Sequence, residues 1–138
     1  GPPGRGSSGL LAAPADPDWA QLTFSFGGLW EIQPHDLEER LASTAANAVQ
    51  VIDVREPSEF SDQLGHIRGA RLVPLSQLTS RLPEIDRSRP VVTVCRSGAR
   101  SAQASVLLGK SGFEQVANLA GGMLRWRAQS LPVENGAG

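Results

Sequence analysis

Short apolar runs alternate along the chain with longer segments in which apolar positions recur at helical spacing. Runs of three to five residues, bounded by proline, glycine and charged residues, predict buried strands. Five such strands are expected, at 30–32, 51–54, 71–74, 91–95 and 116–119. Because helical segments separate them, the pattern predicts an α/β fold in which a doubly wound parallel sheet is flanked by helices on both faces.

The longest helical segment follows the strand at 91–95. It is expected to run from about residue 99 to 111 and to end at Gly112, since glycine commonly terminates helices. Its buried stripe is expected to consist of Ala102, Val106 and Gly109. The other helices are expected to begin at Pro34, Ser76 and Met123, the first of them reaching the alanine pair at 45–46.

The chain divides by composition into a tail and one domain. Residues 1–28 are rich in Gly, Pro, Ser and Ala and are typical of a tail or linker, and the first 18 are expected to be disordered. Within that tail, residues 22–26 alternate apolar and polar positions, which indicates a short strand. The folded domain is expected at 29–134, followed by a tail at 135–138.

Charge and composition exclude several classes of function. Thirteen basic and fourteen acidic side chains are interspersed, so neither a nucleic-acid partner nor a membrane surface is expected. No apolar stretch approaches the roughly 20 residues that cross a bilayer. One cysteine and two histidines lack metal-ligand spacing, so no metal is expected. A single cysteine forms no internal disulfide, and a working thiolate suits a reducing compartment, so the expected location is cytoplasmic.

The single cysteine, Cys95, lies where a strand gives way to a helix. A thiol at this point meets converging backbone N–H groups and the positive end of the helix dipole, which favour an ionised nucleophile. A buried core cysteine is the alternative, but two arginines and a glycine turn beside it argue against that interpretation. The predicted substrate-binding loop comprises Arg96, Ser97, Gly98, Ala99, Arg100 and Ser101.

The length of this loop separates two kinds of chemistry. Protein tyrosine phosphatases and related dual-specificity phosphatases place an arginine six residues after the cysteine, in a loop that wraps a phosphate. Here Ser101 holds that position, and Arg100 comes one residue early. The shorter loop favours a smaller guest, such as one extra sulfur atom.

Three further motifs accompany the loop, and with it they resemble the rhodanese family of sulfurtransferases. Residues 51–60, VIDVREPSEF, look like the family's strand and Asp-x-Arg turn. Residues 65–70, GHIRGA, and residues 119–123, LAGGM, with Trp126, are similar to its other signatures. The ordered set covers roughly residues 30–134 and is more specific than any one motif. The resemblance implies a rhodanese-like fold and a persulfide carried on Cys95.

Three polar residues outside the loop are expected to support the site rather than to react. Asp53 and Arg55 follow a strand, where a buried ion pair or a turn hydrogen bond is the ordinary role. The resemblance implies that His66 belongs to a structural signature and is not a required catalyst. No cofactor is expected.

The loop predicts nucleophilic catalysis through a covalent persulfide. The Cys95 thiolate is expected to take a sulfur atom from thiosulfate or glutathione persulfide and to pass it to cyanide or a thiol, while Arg96 and Arg100 favour anionic donors. A second hypothesis makes the domain a persulfide-relay or regulatory module fused to, or partnered with, a larger enzyme. A third, a phosphatase or arsenate reductase, is disfavoured by the loop length.

Overall fold

The computed structural model describes residues 19–25, 28–42 and 49–135 of the chain. In these ranges six strands form one sheet in the order β1-β2-β6-β5-β3-β4. They are β1 (Thr23–Phe24), β2 (Trp30–Ile32), β3 (Gln50–Asp53), β4 (Arg71–Leu72), β5 (Val91–Val94) and β6 (Val116–Leu119). The predicted α/β fold is confirmed, with one addition. Strand β1 pairs antiparallel with β2 at the sheet edge, whereas all other pairs are parallel.

Helices and two cores lie on the two faces of the sheet. The described helices are α1 (Pro34–Ala42), α2 (Pro57–Phe60), α3 (Ala99–Lys110) and α4 (Gly122–Ala128). Neighbouring residues of a strand point to opposite faces, so Val51 and Val92 join one core while Ile52 and Val91 join the other. The first core includes residues of α1 and α4, and the second includes residues of α3.

The helix predicted from Ser76 is wrong. Two 3-10 helices, Leu75–Gln77 and Thr79–Glu84, occupy this segment. Pro83 lies inside the second of them, and a proline there disfavours an α-helix through this segment because its ring clashes with the carbonyl four residues earlier.

The stripe predicted for the long helix is also wrong, although α3 has nearly the expected bounds. Val106 is 43% exposed, and the buried positions are Ser101, Ala104, Ser105 and Leu108. Two of the four buried side chains are serines, so apolar periodicity alone did not indicate this face. Their hydroxyl groups reach polar residues of the sheet instead of solvent.

The N-terminal segment contributes more than a tail. Its predicted strand is found as β1, and Trp19, Ala20 and Leu22 pack against the first core. The disorder expected for the first 18 residues, the helical extension to residues 45–46 and most of the predicted tail at 135–138 fall outside the described residues.

The parallel strands place their carboxyl ends at one edge of the sheet. There β5 leads into Cys95, β3 into Arg55, and β6 into the glycine pair that begins α4. Ligand sites of open α/β sheets form at this edge, because successive loops converge on it.

Candidate active site

The cysteine loop curls around its own sulfur atom. Cys95 Sγ accepts hydrogen bonds from the N–H groups of Gly98 at 3.0 Å and Ser101 at 3.3 Å, and the Ser101 hydroxyl lies 3.3 Å away. Cys95 is 1% exposed and packs in the second core, as a structural cysteine would. An inert thiol, however, needs no set of converging donors. The arrangement stabilises negative charge on the sulfur.

Helix α4 holds the outer side of the loop. Met123 N–H donates to the Cys95 carbonyl at 2.9 Å, and Leu124 N–H donates to the Arg96 carbonyl at 3.0 Å. This approach requires glycine at position 122, where φ is +58° and a Cβ atom would lie 2.5 Å from both carbonyl oxygens. The glycine signature recognised in the sequence is therefore the contact between α4 and the cysteine loop.

These contacts orient the remaining N–H groups of the loop. In a trans peptide the carbonyl and the following N–H point in opposite directions, so an outward carbonyl turns the next N–H inward. The Cys95 and Arg96 carbonyls, which precede the N–H groups of Arg96 and Ser97, accept hydrogen bonds from α4. The Gly98 carbonyl, which precedes the Ala99 N–H, accepts from Ala102 N–H at 3.0 Å. Within the described ranges, the N–H groups of Arg96, Ser97 and Ala99 have no protein acceptor. They form a cradle that suits an anionic sulfur atom.

A buried polar network connects the cysteine loop to strands β2, β5 and β6. The Ser101 hydroxyl donates to Asn118 Oδ1, and Asn118 Nδ2 lies 3.2 Å from both the Gly98 carbonyl and Glu31 Oε2. Thr93 Oγ1 donates to the Ser101 carbonyl at 2.9 Å. This network fixes the start of α3 against β5 and β6 and so holds the donors of the cradle in position.

Sequence reasoning missed Asn118, Thr93 and Glu31. A signal for the first two was present, because each is a polar residue inside an otherwise apolar strand. Thr93 and Asn118 are at most 2% exposed, and a buried polar side chain needs a partner.

Arg100 forms an ion pair that the sequence did not indicate. Its Nη1 and Nη2 atoms lie 2.7 and 2.8 Å from Glu59 Oε1 and Oε2, in a bidentate pair between α3 and α2. The Arg100 hydrogen bonds hold the pKa of Glu59 at about 2, below its usual 4.5. Arg96, by contrast, is exposed and forms no salt bridge with any described residue. Glu59 therefore neutralises the positive charge of Arg100, whereas no described carboxylate neutralises that of Arg96.

Asp53 and Arg55 form a buried ion pair beside the loop. Arg55 donates to both carboxylate oxygens of Asp53, at 2.9 and 2.7 Å, and to the Gly65 carbonyl at 2.8 Å. Both side chains are 0% exposed. The pair ties the end of β3 to the turn at Gly65.

His66 makes its contacts away from the sulfur. Its Nδ1 atom lies 2.8 Å from the Phe60 carbonyl, and its ring stacks on the Phe60 ring with 3.7 Å between centroids. Its backbone exchanges two hydrogen bonds with Glu134. These contacts join α2 to the C-terminal segment.

A large cavity formed by the described residues has no contribution from Cys95. It measures about 820 Å³ and is lined by residues near the opposite edge of the sheet, among them Val49, Gln50 and Arg89.

The described residues contain no cluster of three or more His, Cys, Asp or Glu side chains suited to a metal ion. None of the described helices has the length and apolar character that crossing a membrane requires.

Comparisons with known proteins agree with the geometry. The Rhodanese-like domain family matches residues 33–129. A sulfurtransferase of Allochromatium vinosum is 40% identical over 103 residues, which cover 75% of this chain and 92% of the relative. The thiosulfate sulfurtransferase GlpE of Ectopseudomonas mendocina is 34% identical over 93 residues, covering 67% of this chain and 83% of that protein.

Some relatives are much longer, and the fold also matches solved structures. The probable adenylyltransferase/sulfurtransferase MoeZ of Mycobacterium tuberculosis is 36% identical over 103 residues, 73% of this chain, but the match spans only 25% of MoeZ. A rhodanese-related protein from Thermoplasma volcanium superposes with a TM-score of 0.68 at 29% identity, over 77% of this chain and 98% of that structure. The family match, the ordered motifs and the shared fold show that this chain belongs to the rhodanese-like domain family.

Proposed function

We propose that this protein is a sulfurtransferase that carries sulfane sulfur as a persulfide on Cys95. The observation that carries the proposal is the convergence of the Gly98 and Ser101 N–H groups on Sγ, with further inward N–H groups around it. Such donors stabilise a thiolate and then a terminal persulfide anion. Relatives named as sulfurtransferases support the same chemistry.

Two displacements complete one cycle of this reaction. The Cys95 thiolate attacks the outer sulfur of thiosulfate, a new S–S bond forms, and sulfite leaves with the electron pair of the broken S–S bond. Cyanide or a thiolate then attacks the terminal sulfur. The products are thiocyanate or a new persulfide, and the Cys95 thiolate returns. No side chain needs to act as a base once the thiolate has formed.

The donor and acceptor are small molecules in this proposal. Thiosulfate or glutathione persulfide donates the sulfur atom, cyanide or a thiol accepts it, and the exposed guanidinium of Arg96 favours the anionic ones among them. No cofactor takes part in either displacement. Persulfide chemistry suits a reducing compartment, so a cytoplasmic location accompanies the proposal.

A relay module is the second candidate function. Its support is the match to a quarter of MoeZ, whose name combines adenylyltransferase and sulfurtransferase activities. In that role the sulfur atom of the same Cys95 persulfide would pass to a fused or partner enzyme rather than to a free thiol.

A phosphatase is disfavoured, because Arg100 lies one residue closer to Cys95 than the phosphatase arginine and forms an ion pair with Glu59.

A turnover assay tests the proposal. The protein is incubated with thiosulfate or glutathione persulfide and with cyanide or a thiol acceptor, and a generic aryl phosphate is assayed in parallel. We expect sulfur transfer by the native protein, none by a folded Cys95→Ser variant, and no phosphate hydrolysis by either. Undiminished transfer by Cys95→Ser, or robust phosphatase activity, would overturn the assignment.

A further inference from the structure

Two ion pairs involve side chains of the cysteine loop and of the segment after β3. Arg100 of the loop pairs with Glu59, and Arg55 forms a buried pair with Asp53. Arg100 directly precedes Ser101, whose N–H donates to Sγ. The hydrogen bonds of Glu59 raise the pKa of Arg100, and the charge of Glu59 raises it further, with smaller contributions from Cys95 and Asp53.

Glu59 controls both the position and the charge of Arg100. Two short hydrogen bonds direct the guanidinium towards α2, and the carboxylate compensates its positive charge. Glu59 is itself fixed, because its Oε1 atom accepts the Glu56 N–H at 3.0 Å. Its side chain is 24% exposed, so the pair is partly shielded from solvent. Arg100 is therefore not available to bind an anion in the cradle while this pair is intact.

Among the described residues, the loop consequently offers one uncompensated cation, Arg96, rather than two. A doubly charged oxyanion gains more from a second cation than a singly charged group does, since the Coulomb energy scales with the product of the charges. An intact pair thus weakens the binding of dianions such as phosphate, arsenate or thiosulfate more than the binding of an organic persulfide, whose reacting group carries a single negative charge.

We propose that Glu59 is a specificity-determining positioning residue, which holds Arg100 out of the cradle and so favours organic persulfides over doubly charged oxyanions as ligands. The inference rests on the proposed function and names its donor class. Glu59 acts only through Arg100 and does not touch the reacting atoms.

Anion binding tests this inference without any sulfur transfer. Iodoacetamide alkylates Cys95, and a bound anion should protect the thiol, so the phosphate concentration that halves the alkylation rate reports affinity. In Glu59→Gln we expect this concentration to fall about 3- to 10-fold at low ionic strength, and the effect to shrink at high salt. Glu114→Gln, which removes an equal charge from an exposed site, is the matched control and should behave as the native protein.

The same substitution made in an Arg100→Gln protein separates this role from a merely structural one. If Glu59 acts through the Arg100 charge, Glu59→Gln should have no effect on phosphate protection in an Arg100→Gln protein. A disturbance of the loop by Glu59→Gln would alter protection in both backgrounds. Equal effects in the two backgrounds, or no gain of phosphate affinity with Arg100 present, would overturn the inference.

Donor kinetics complete the test. In Glu59→Gln the KM for thiosulfate should fall by a similar factor, while the KM for cysteine persulfide should change less than twofold. A uniform change of both values would contradict the assignment of donor class. If no variant transfers sulfur, the proposed function fails, yet the phosphate-protection result still decides whether Glu59 restrains anion binding.

Discussion

At the scale of single residues, the Glu59 carboxylate links the stability of the protein to pH. The pKa of Glu59 is about 2 in the folded protein and 4.5 in the reference state, chiefly because Arg100 donates to its ionised form. A depressed pKa stabilises the fold above the unfolded value and loses that effect as pH falls through the folded value. The contribution of this pair is therefore full above about pH 5 and declines towards pH 2.

Glu59→Gln tests this linkage. The variant should lose about 1 kcal/mol at pH 7, a modest figure because solvent screens a partly exposed pair. That loss corresponds to a Tm lower by roughly 3–5 °C. Thermal unfolding of both proteins from pH 7 to 3 should show the difference shrinking as the Glu59 carboxylate becomes protonated. A difference that is constant or larger in acid would contradict the account, and Glu114→Gln serves as the control.

The sequence indicated Cys95 as the candidate nucleophile but not the residues that contact its loop. Cys95 is recognisable from its neighbours, because a strand, a glycine turn and a helix follow one another locally. Glu59 contacts Arg100 of the loop from 41 residues away in the sequence, and Asn118 contacts Ser101 from 17 residues away. Those contacts depend on how α2 and β6 are placed, and no local pattern predicts such pairings.

At the scale of elements, the start of α4 braces the cysteine loop. Two of its N–H groups hold the Cys95 and Arg96 carbonyls, and this contact needs a position without a side chain. The precision of the cradle thus depends on a helix that contributes no reacting group.

Gly122→Ala tests this dependence. A methyl group 2.5 Å from two carbonyl oxygens at φ +58° must displace α4 or the loop. We expect a loss of about 1–3 kcal/mol and a fall in sulfur transfer of roughly tenfold or more. Gly109→Ala in α3 is the control, since nothing lies within 4 Å of the added methyl group. That change should stabilise the protein by about 0.5–1 kcal/mol. Unaltered transfer in Gly122→Ala would contradict the bracing role.

Apolar patterning predicted the strands better than the helices. The strand at 30–32 coincides with β2, and those at 91–95 and 116–119 closely match β5 and β6, because buried parallel strands are mostly apolar. The buried face of α3 carries Ser101 and Ser105 to serve the polar network, so its stripe was misassigned. The helix predicted from Ser76 is replaced by two 3-10 helices, the second of which contains Pro83.

At the scale of the whole molecule, the sheet is what assembles the site. Parallel strands bring the cysteine loop, the Asp53–Arg55 pair and the start of α4 to one edge, although residues 53 and 122 are far apart in sequence. The ordered motifs predicted this fold and the family. They did not predict that β1 would extend the sheet antiparallel, because a two-residue edge strand has almost no pattern of its own.

The central claim is that Cys95 holds a transferable sulfur atom, and intact-mass spectrometry measures this directly. The native protein is incubated with thiosulfate or with glutathione persulfide, separated from the donor by gel filtration, and its mass is measured before and after cyanide is added. Because the chain has one cysteine, a persulfide cannot discharge into an internal disulfide. We predict a gain of one sulfur atom that survives the separation, is lost on addition of cyanide, and is absent from Cys95→Ser. An adduct on Cys95→Ser, or a native protein that gains no sulfur, would contradict the account.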